Sequence, residues 1–171
     1  IALSMHVDYW DYIGWKDEFA DPKHAKRQRA YATRAGRRSV YTPEMVVNGD
    51  IDIVGAKPME LASAISMMKE KARKVDVDVS YAAGNLVIAA QALDEVAGPL
   101  EVQIVRYQPE RVSNITRGEN AGKVIHYVNV AQDLQVIGLW DTQQPFSAEI
   151  PVANDLPVVV LVQTQGHGHI L

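Results

Sequence analysis

The chain has 171 residues, with 17 Lys and Arg against 21 Asp and Glu, and no cysteine. The length allows one large domain or two small ones, and 47% hydrophobic with 22% charged residues excludes a disordered or fibrous chain. A net charge of −4 argues against electrostatic binding of nucleic acid or an anionic membrane, and zero Cys excludes a disulfide scaffold, a thiolate metal site and cysteine catalysis within these residues.

The chain opens directly in Ile1-Ala2-Leu3-Ser4-Met5-His6-Val7, an apolar run that reads as a buried strand. Because termini usually lie at the surface, the expectation is that residues preceding Ile1 belong to the protein. The run from Tyr9 to Phe19 holds five aromatics, with Gly14 as a breaker. Asp21-Pro22 predicts an N-cap and first helical position, and the helix should run to about Ala35, where Gly36 can stop it. Ala25, Ala30 and Tyr31 offer it a modest apolar stripe. Its cations belong to a cluster of Lys23, Lys26, Arg27, Arg29, Arg34, Arg37 and Arg38, which reads as a solvated face.

Thr42-Pro43 leads into a strand at Glu44 to Val47. Asn48-Gly49 predicts a type I′ hairpin turn, and Ile51 to Val54 returns. Pro58 opens a second helix with Leu61, Ala62, Ile65, Met68 and Ala72 spaced for one buried face. From Val75 the hydrophobic period becomes two, beginning with Val75 to Tyr81. Further strands are predicted at Leu86 to Ala90, Leu100 to Tyr107, Val124 to Val130, Phe146 to Ile150 and Pro157 to Val162. Turns fall at Gly84-Asn85, Gly98-Pro99, Gly118 to Gly122 and Asn154-Asp155. This pattern argues for a β-sandwich-like module and a boundary between Lys74 and Val75.

Residues 40–73, with Thr-Pro, hairpin and helix in that order, resemble the C-terminal half of a thioredoxin fold, and residues 1–35 fit its middle strand-helix unit. More distinctive are the run from His6 to Asp17, Arg27-Gln28-Arg29-Ala30-Tyr31, and Val40 to Gly49. Arg117-Gly118-Glu119-Asn120-Ala121-Gly122-Lys123 adds to them. Together these resemble a bacterial family of secreted, thioredoxin-like proteins designated a domain of unknown function, family twelve-twenty-three. The resemblance spans nearly the whole chain. It implies an α/β plus β fold: an incomplete thioredoxin-like domain at 1–74, then a β-rich, sandwich-like domain at 75–171. It also implies a periplasmic or secreted protein, whose relatives carry a Cys-x-x-Cys segment upstream that is absent here. The resemblance further implies that the Thr42–Pro43 bond is cis, with Pro43 beside the thiols and Thr42 pairing through its backbone with an extended substrate.

Asp8, Tyr9 and Trp10 follow the end of the first predicted strand, where ligands gather in open α/β sheets. With Trp15 they would either wall a substrate groove or pack over the sheet. Arg117, Glu119 and Asn120 would either present charge to a ligand or form a β-turn with a local ion pair. His6 reads as a hydrogen-bonded core residue. His167 and His169 would share one face of an extended segment, making an incomplete metal site without an identifiable third ligand. No catalytic residue and no cofactor is assigned within the chain. Three functions compete. The first is a thiol–disulfide oxidoreductase dependent on an upstream Cys pair, with a protein or a small thiol or disulfide as substrate. The second is a non-catalytic ligand- or protein-binding module. The third is a metal-handling protein. Nucleic acid and a membrane span are not expected, and the sequence leaves the oligomeric state open.

Overall fold

A computed structural model describes residues 1–96, 98–151 and 155–171. Helix α1 (Pro22–Arg34) starts where Asp21 accepts a 2.8 Å hydrogen bond from the Lys23 N–H, with Pro22 in the first turn. This is the local chemistry of a helix start. The helix buries His24, Ala25, Arg27 and Ala32. Strands β1 (Glu44–Val47) and β2 (Ile51–Val54) form an antiparallel hairpin, and Asn48 and Gly49 both adopt the positive φ that its turn demands. Helix α2 (Pro58–Glu70) lies against this hairpin. Its buried residues are Ala64 and Met68, with Leu61 half-buried. The apolar stripe is therefore narrower than predicted: Ala62 and Ile65 face outward, and Ala72 lies beyond the helix end.

The remaining strands are β3 (Val75–Ala82), β4 (Asn85–Ala92), β5 (Leu100–Asn114), β6 (Val124–Trp140), β7 (Phe146–Pro151) and β8 (Val158–Thr164). They form two antiparallel sheets, ordered β3-β4-β7 and β6-β5-β8. The sheets pack face to face. Val75 and Ala90 of the first meet Leu100, Val102, Trp140 and Val162 of the second, and Leu86 and Ile88 meet Ile104. Each Val, Leu or Ile among them contributes roughly 1.5–3 kcal/mol when fully buried. Because successive residues of a strand face opposite sides, β5 turns Gln103 and Val105 away from this core, and Gln103 meets α1 through Arg27. Both faces of β5 are thus covered.

The sandwich matches the expected strand pattern, but the thioredoxin-like α/β part does not form. Among the described residues, β1 and β2 pair only with each other, and no sheet joins them to residues 1–7. That first segment is not a regular buried strand: Ile1 is 83% exposed, and Ser4 makes a single parallel bridge to Val130 on β6. A two-stranded hairpin and two helices remain where an α/β layer was expected. Strands β5 and β6 also run well past their predicted ends. They form an arm that reaches beyond the sandwich and packs on residues 2–19. Tyr127 lies edge-on to Phe19, the Arg111 guanidinium sits over the Phe19 ring, and Asn129 donates to the Ala2 carbonyl. Asn154, expected in a turn, lies outside the described residues.

Candidate functional site

The aromatic run is bent by a short 3-10 turn, Asp11–Ile13, which ends at Gly14 with φ 107°. Asp8 closes the turn through its carbonyl, which accepts from the Asp11 N–H. The bend carries Trp10 to the Thr42–Pro43 step, where its indole N–H donates to Thr42 Oγ1 at 2.9 Å. The Thr42–Pro43 bond is cis. The rings of Tyr9 and Trp10 meet at a tilt of 59° with centroids 5.4 Å apart, and Tyr12 continues the row. Trp10 is 43% exposed and Tyr12 79%, so this row faces solvent. Tyr9 is the inner member. Its hydroxyl donates to Gln28 Oε1, and burial pushes the phenol's pKa up from its ordinary value.

Gln28 ties three elements together. Besides accepting from Tyr9, it donates to the Tyr41 carbonyl at 2.6 Å and to Glu44 Oε2 at 2.7 Å. Glu44 is nearly sealed from solvent, with a side chain only 3% exposed, and is neutralised by Arg37. Arg37 also stacks over Tyr41, whose hydroxyl donates to Asp52. A buried charge needs such a partner and hydrogen bonds to be tolerated. This network holds the Thr42–Pro43 step from beneath. Sequence reasoning missed Gln28, Arg37 and Glu44. A signal existed, in that Glu44 begins a strand directly after a Thr-Pro.

The family described as "Protein of unknown function (DUF1223)" matches residues 1–163. The chain belongs to the DUF1223 family. A crystal structure of an Agrobacterium tumefaciens protein is similar to it, with a TM-score of 0.81 and 27% identity, covering 99% of this chain and 75% of that one. No curated protein matches the chain.

The other candidates of this DUF1223 chain fall elsewhere. Trp15 is half-buried and faces the loop between β5 and β6: a Cβ on Gly118 would lie 3.3 Å from the Trp15 Cβ. The run is thus divided, with Tyr9 and Trp10 at Thr42 and Trp15 at Gly118. The loop of Arg117, Glu119 and Asn120 is a turn, closed by Gly122 N–H on the Ile115 carbonyl and by Lys123 Nζ on Asn120. Among the described residues Arg117 and Glu119 make no ion pair, so the expected local pair is replaced by Lys123 and Asn120. The segment holding His167 and His169 is also a turn rather than extended, with positive φ at Gly166 and His167. The two imidazoles part company. His167 rests edge-on against Tyr31, and burial lowers its pKa. His169 Nδ1 lies 2.8 Å from Asp50 without hydrogen-bond geometry. Among the described residues no group of three or more His, Cys, Asp or Glu is placed to hold a metal, and no helix is long and apolar enough to cross a membrane.

Proposed function

We propose that this DUF1223 chain is a binding module that takes an extended polypeptide across Trp10, Tyr12 and the Thr42–Pro43 step, with no chemical step of its own. The observation that carries this reading is the hydrogen bond from the Trp10 indole to Thr42, which makes an exposed aromatic row and a strand start one continuous surface. Aromatic side chains supply large contact area at small conformational cost. Thr42 adds backbone groups. Thr42 is exposed in the bend that leads into β1, and among the described residues its N–H and C=O bond to no other backbone group. An extended segment can pair with groups so presented. Thiol–disulfide exchange needs a thiolate, and these 171 residues contain no cysteine, whereas binding needs none. The site's residence in the periplasm or outside the cell, implied by the family resemblance, is part of the same proposal.

The test uses reduced, carboxymethylated lactalbumin as an extended, thiol-free probe, followed by calorimetry and tryptophan fluorescence with and without dithiothreitol. Saturable binding is expected, indifferent to reductant and weakened at least about tenfold in Trp10→Ala. An unbound probe, or one held equally well by the variant, disposes of the reading.

A further inference from the structure

We propose that β3 is a homodimer interface, with two copies of the chain pairing antiparallel along this strand. The interface lies apart from the Trp10–Thr42 surface and does not rest on it.

The sandwich treats its edge strands unequally. The outer edge of β8 is covered by the C-terminal return, where Thr164 N–H bonds to the His169 carbonyl and Leu171 N–H to the Val162 carbonyl. The edge of β6 is partly taken by Ser4 and interrupted by register shifts and a positive φ at Asn129. Strand β7 is short and ends in Pro151. Such devices keep sheet edges from pairing with other chains. Among the described residues strand β3 has no covering segment, no break and no Pro, and its only charges are Asp76 and Asp78. It runs eight residues, Val-Asp-Val-Asp-Val-Ser-Tyr-Ala, without Gly, Pro, Lys or a register shift, and among the described residues it pairs only with β4.

Its free edge is equipped for pairing. The Lys74 carbonyl accepts from the Leu93 N–H, so even-numbered residues of β3 direct their backbone groups to β4. Val75, Val77, Val79 and Tyr81 direct theirs outward. The side chains of Val77, Val79 and Tyr81 lie on the same face as the buried Val75, yet are 36%, 41% and 63% exposed.

Outward-directed residues must oppose one another in an antiparallel pair, which restricts the register. Centring the pair on Asp78 sets Asp78 against its own copy, a like-charge contact. Centring it on Val79 sets Val79 against Val79, Val77 against Tyr81, Asp78 against Ser80 and Asp76 against Ala82. No acid then opposes an acid, and the apolar residues meet across the strands. Moving the centre on to Ser80 also avoids acid pairs but shortens the ladder. The sequence of β3 is thus self-complementary about Val79, as a two-fold interface requires.

Sedimentation equilibrium of the full chain tests this. The expected mass is twice the 18.9 kDa of the chain. Val79→Pro removes an N–H that β4 does not use, and Val79→Lys places a charge at the centre. Each should weaken the dimer by on the order of tenfold or more, with circular dichroism confirming the retained fold. The register is read from Ser80. Ser80→Lys, opposite Asp78 of the partner, should tighten the dimer roughly two- to tenfold at low salt, and Ser80→Asp should weaken it by a similar factor. A monomer at roughly 100 μM, which is weaker than specific protein pairs usually are, overturns the proposal. So does a dimer indifferent to both the Val79 and the Ser80 variants.

Discussion

The ring of Tyr127, on the arm of β6, meets that of His6 edge-on, with centroids 4.6 Å apart. His6 Nδ1 in turn lies 2.6 Å from Asp17 Oδ2, and the Asp17 carboxylate also accepts from the Phe19 N–H. The first segment is therefore clasped to the arm by a small polar group set among aromatic rings. Below it, His24 Nδ1–H donates to the His6 carbonyl, and burial lowers the His24 pKa. The arm's packing and the segment's path depend on one another, although 121 residues separate Tyr127 from His6 (127 − 6).

Asp17 makes this clasp sensitive to acid. Burial alone would raise its pKa, but the hydrogen bonds from His6 and the Phe19 N–H, with the charge of His6, outweigh it and hold the carboxyl below its ordinary value. A carboxyl lowered on folding stabilises the protein above its unfolded value of about 3.9 and loses that contribution as pH falls through the folded one. Urea midpoints measured from about pH 7 down to about pH 3 should fall less steeply for Asp17→Asn than for the native chain. Parallel acid limbs would show that the clasp does not couple to folding.

Arg27 joins α1 to the sandwich. It is 5% exposed, and its guanidinium donates to Gln103 Oε1 at 3.0 Å and Gln163 Oε1 at 2.7 Å while stacking on Tyr31. Truncation strands the Gln103 amide oxygen, leaves Gln163 Oε1 with only the 3.3 Å bond from Gln103 Nε2 and opens a void, so Arg27→Ala should cost about 2–4 kcal/mol in urea unfolding. Arg27→Lys keeps the charge but not the fork geometry that reaches both amides, and should recover only part of the loss. Full recovery by lysine would reduce the residue's role to charge alone.

Arg27 also shows where sequence reading stops. In the sequence it is one cation among seven and reads as solvated. Its burial is decided by Gln103 and Gln163, which lie 76 and 136 residues away. Local chemistry was legible: the Asp21–Pro22 helix start and the Asn48–Gly49 turn depend only on neighbours, and both form. Strand ends were less so. Gln108-Pro109-Glu110 on β5 and Ala131-Gln132-Asp133 on β6 break the apolar alternation, yet the ladder continues, in unbroken register past the first and through a register shift at Gln132 in the second. The apolar run at 1–7 reads as core, yet its backbone partner is Val130 on the distant arm, so the α/β sheet expected around it is not built. At the candidate site the aromatic row and Thr42 were visible in the sequence. The Gln28–Glu44–Arg37 support was not assembled from it: Glu44's place after Thr-Pro was the single local signal, and its partners come from a helix and a loop that only the fold brings to it.

The support beneath Thr42 can be read through Tyr41. Its phenol is pushed up to about 12, first by burial and then by its hydrogen bond to Asp52, with Glu44 and Asp52 adding negative charge and Arg37 opposing them. A phenol raised on folding contributes stability that is present below about pH 10 and is lost as pH climbs towards the folded value. Burial also raises the phenols of Tyr9 and Tyr127, so phenolate absorbance should show Tyr41 as the last of the seven tyrosines to ionise, and Tyr41→Phe should abolish that last step. Asp52→Asn removes both the acceptor's charge and its preference for a protonated phenol, and should bring the step back towards about 10. An unchanged late step in Asp52→Asn would assign the shift to burial alone.

Two glycines separate backbone strain from contact. Gly36 and Gly49 have nearly equal φ, 71° and 75°. A Cβ at Gly36 would meet nothing within 4 Å, whereas at Gly49 it would run into the Gly168 carbonyl and lie 3.3 Å from Gln163 Nε2. Both substitutions to Ala bear the left-handed backbone cost of about 1–2 kcal/mol. Only Gly49→Ala must also displace the C-terminal return, whose Ile170 N–H bonds to the Asn48 carbonyl. Gly49→Ala should therefore destabilise the protein by at least about 1 kcal/mol more than Gly36→Ala, the cost of a lost hydrogen bond. Amide exchange at Ile170 should quicken in Gly49→Ala alone. Equal losses, with Ile170 still protected, would mean that the turn yields without disturbing the C-terminal segment.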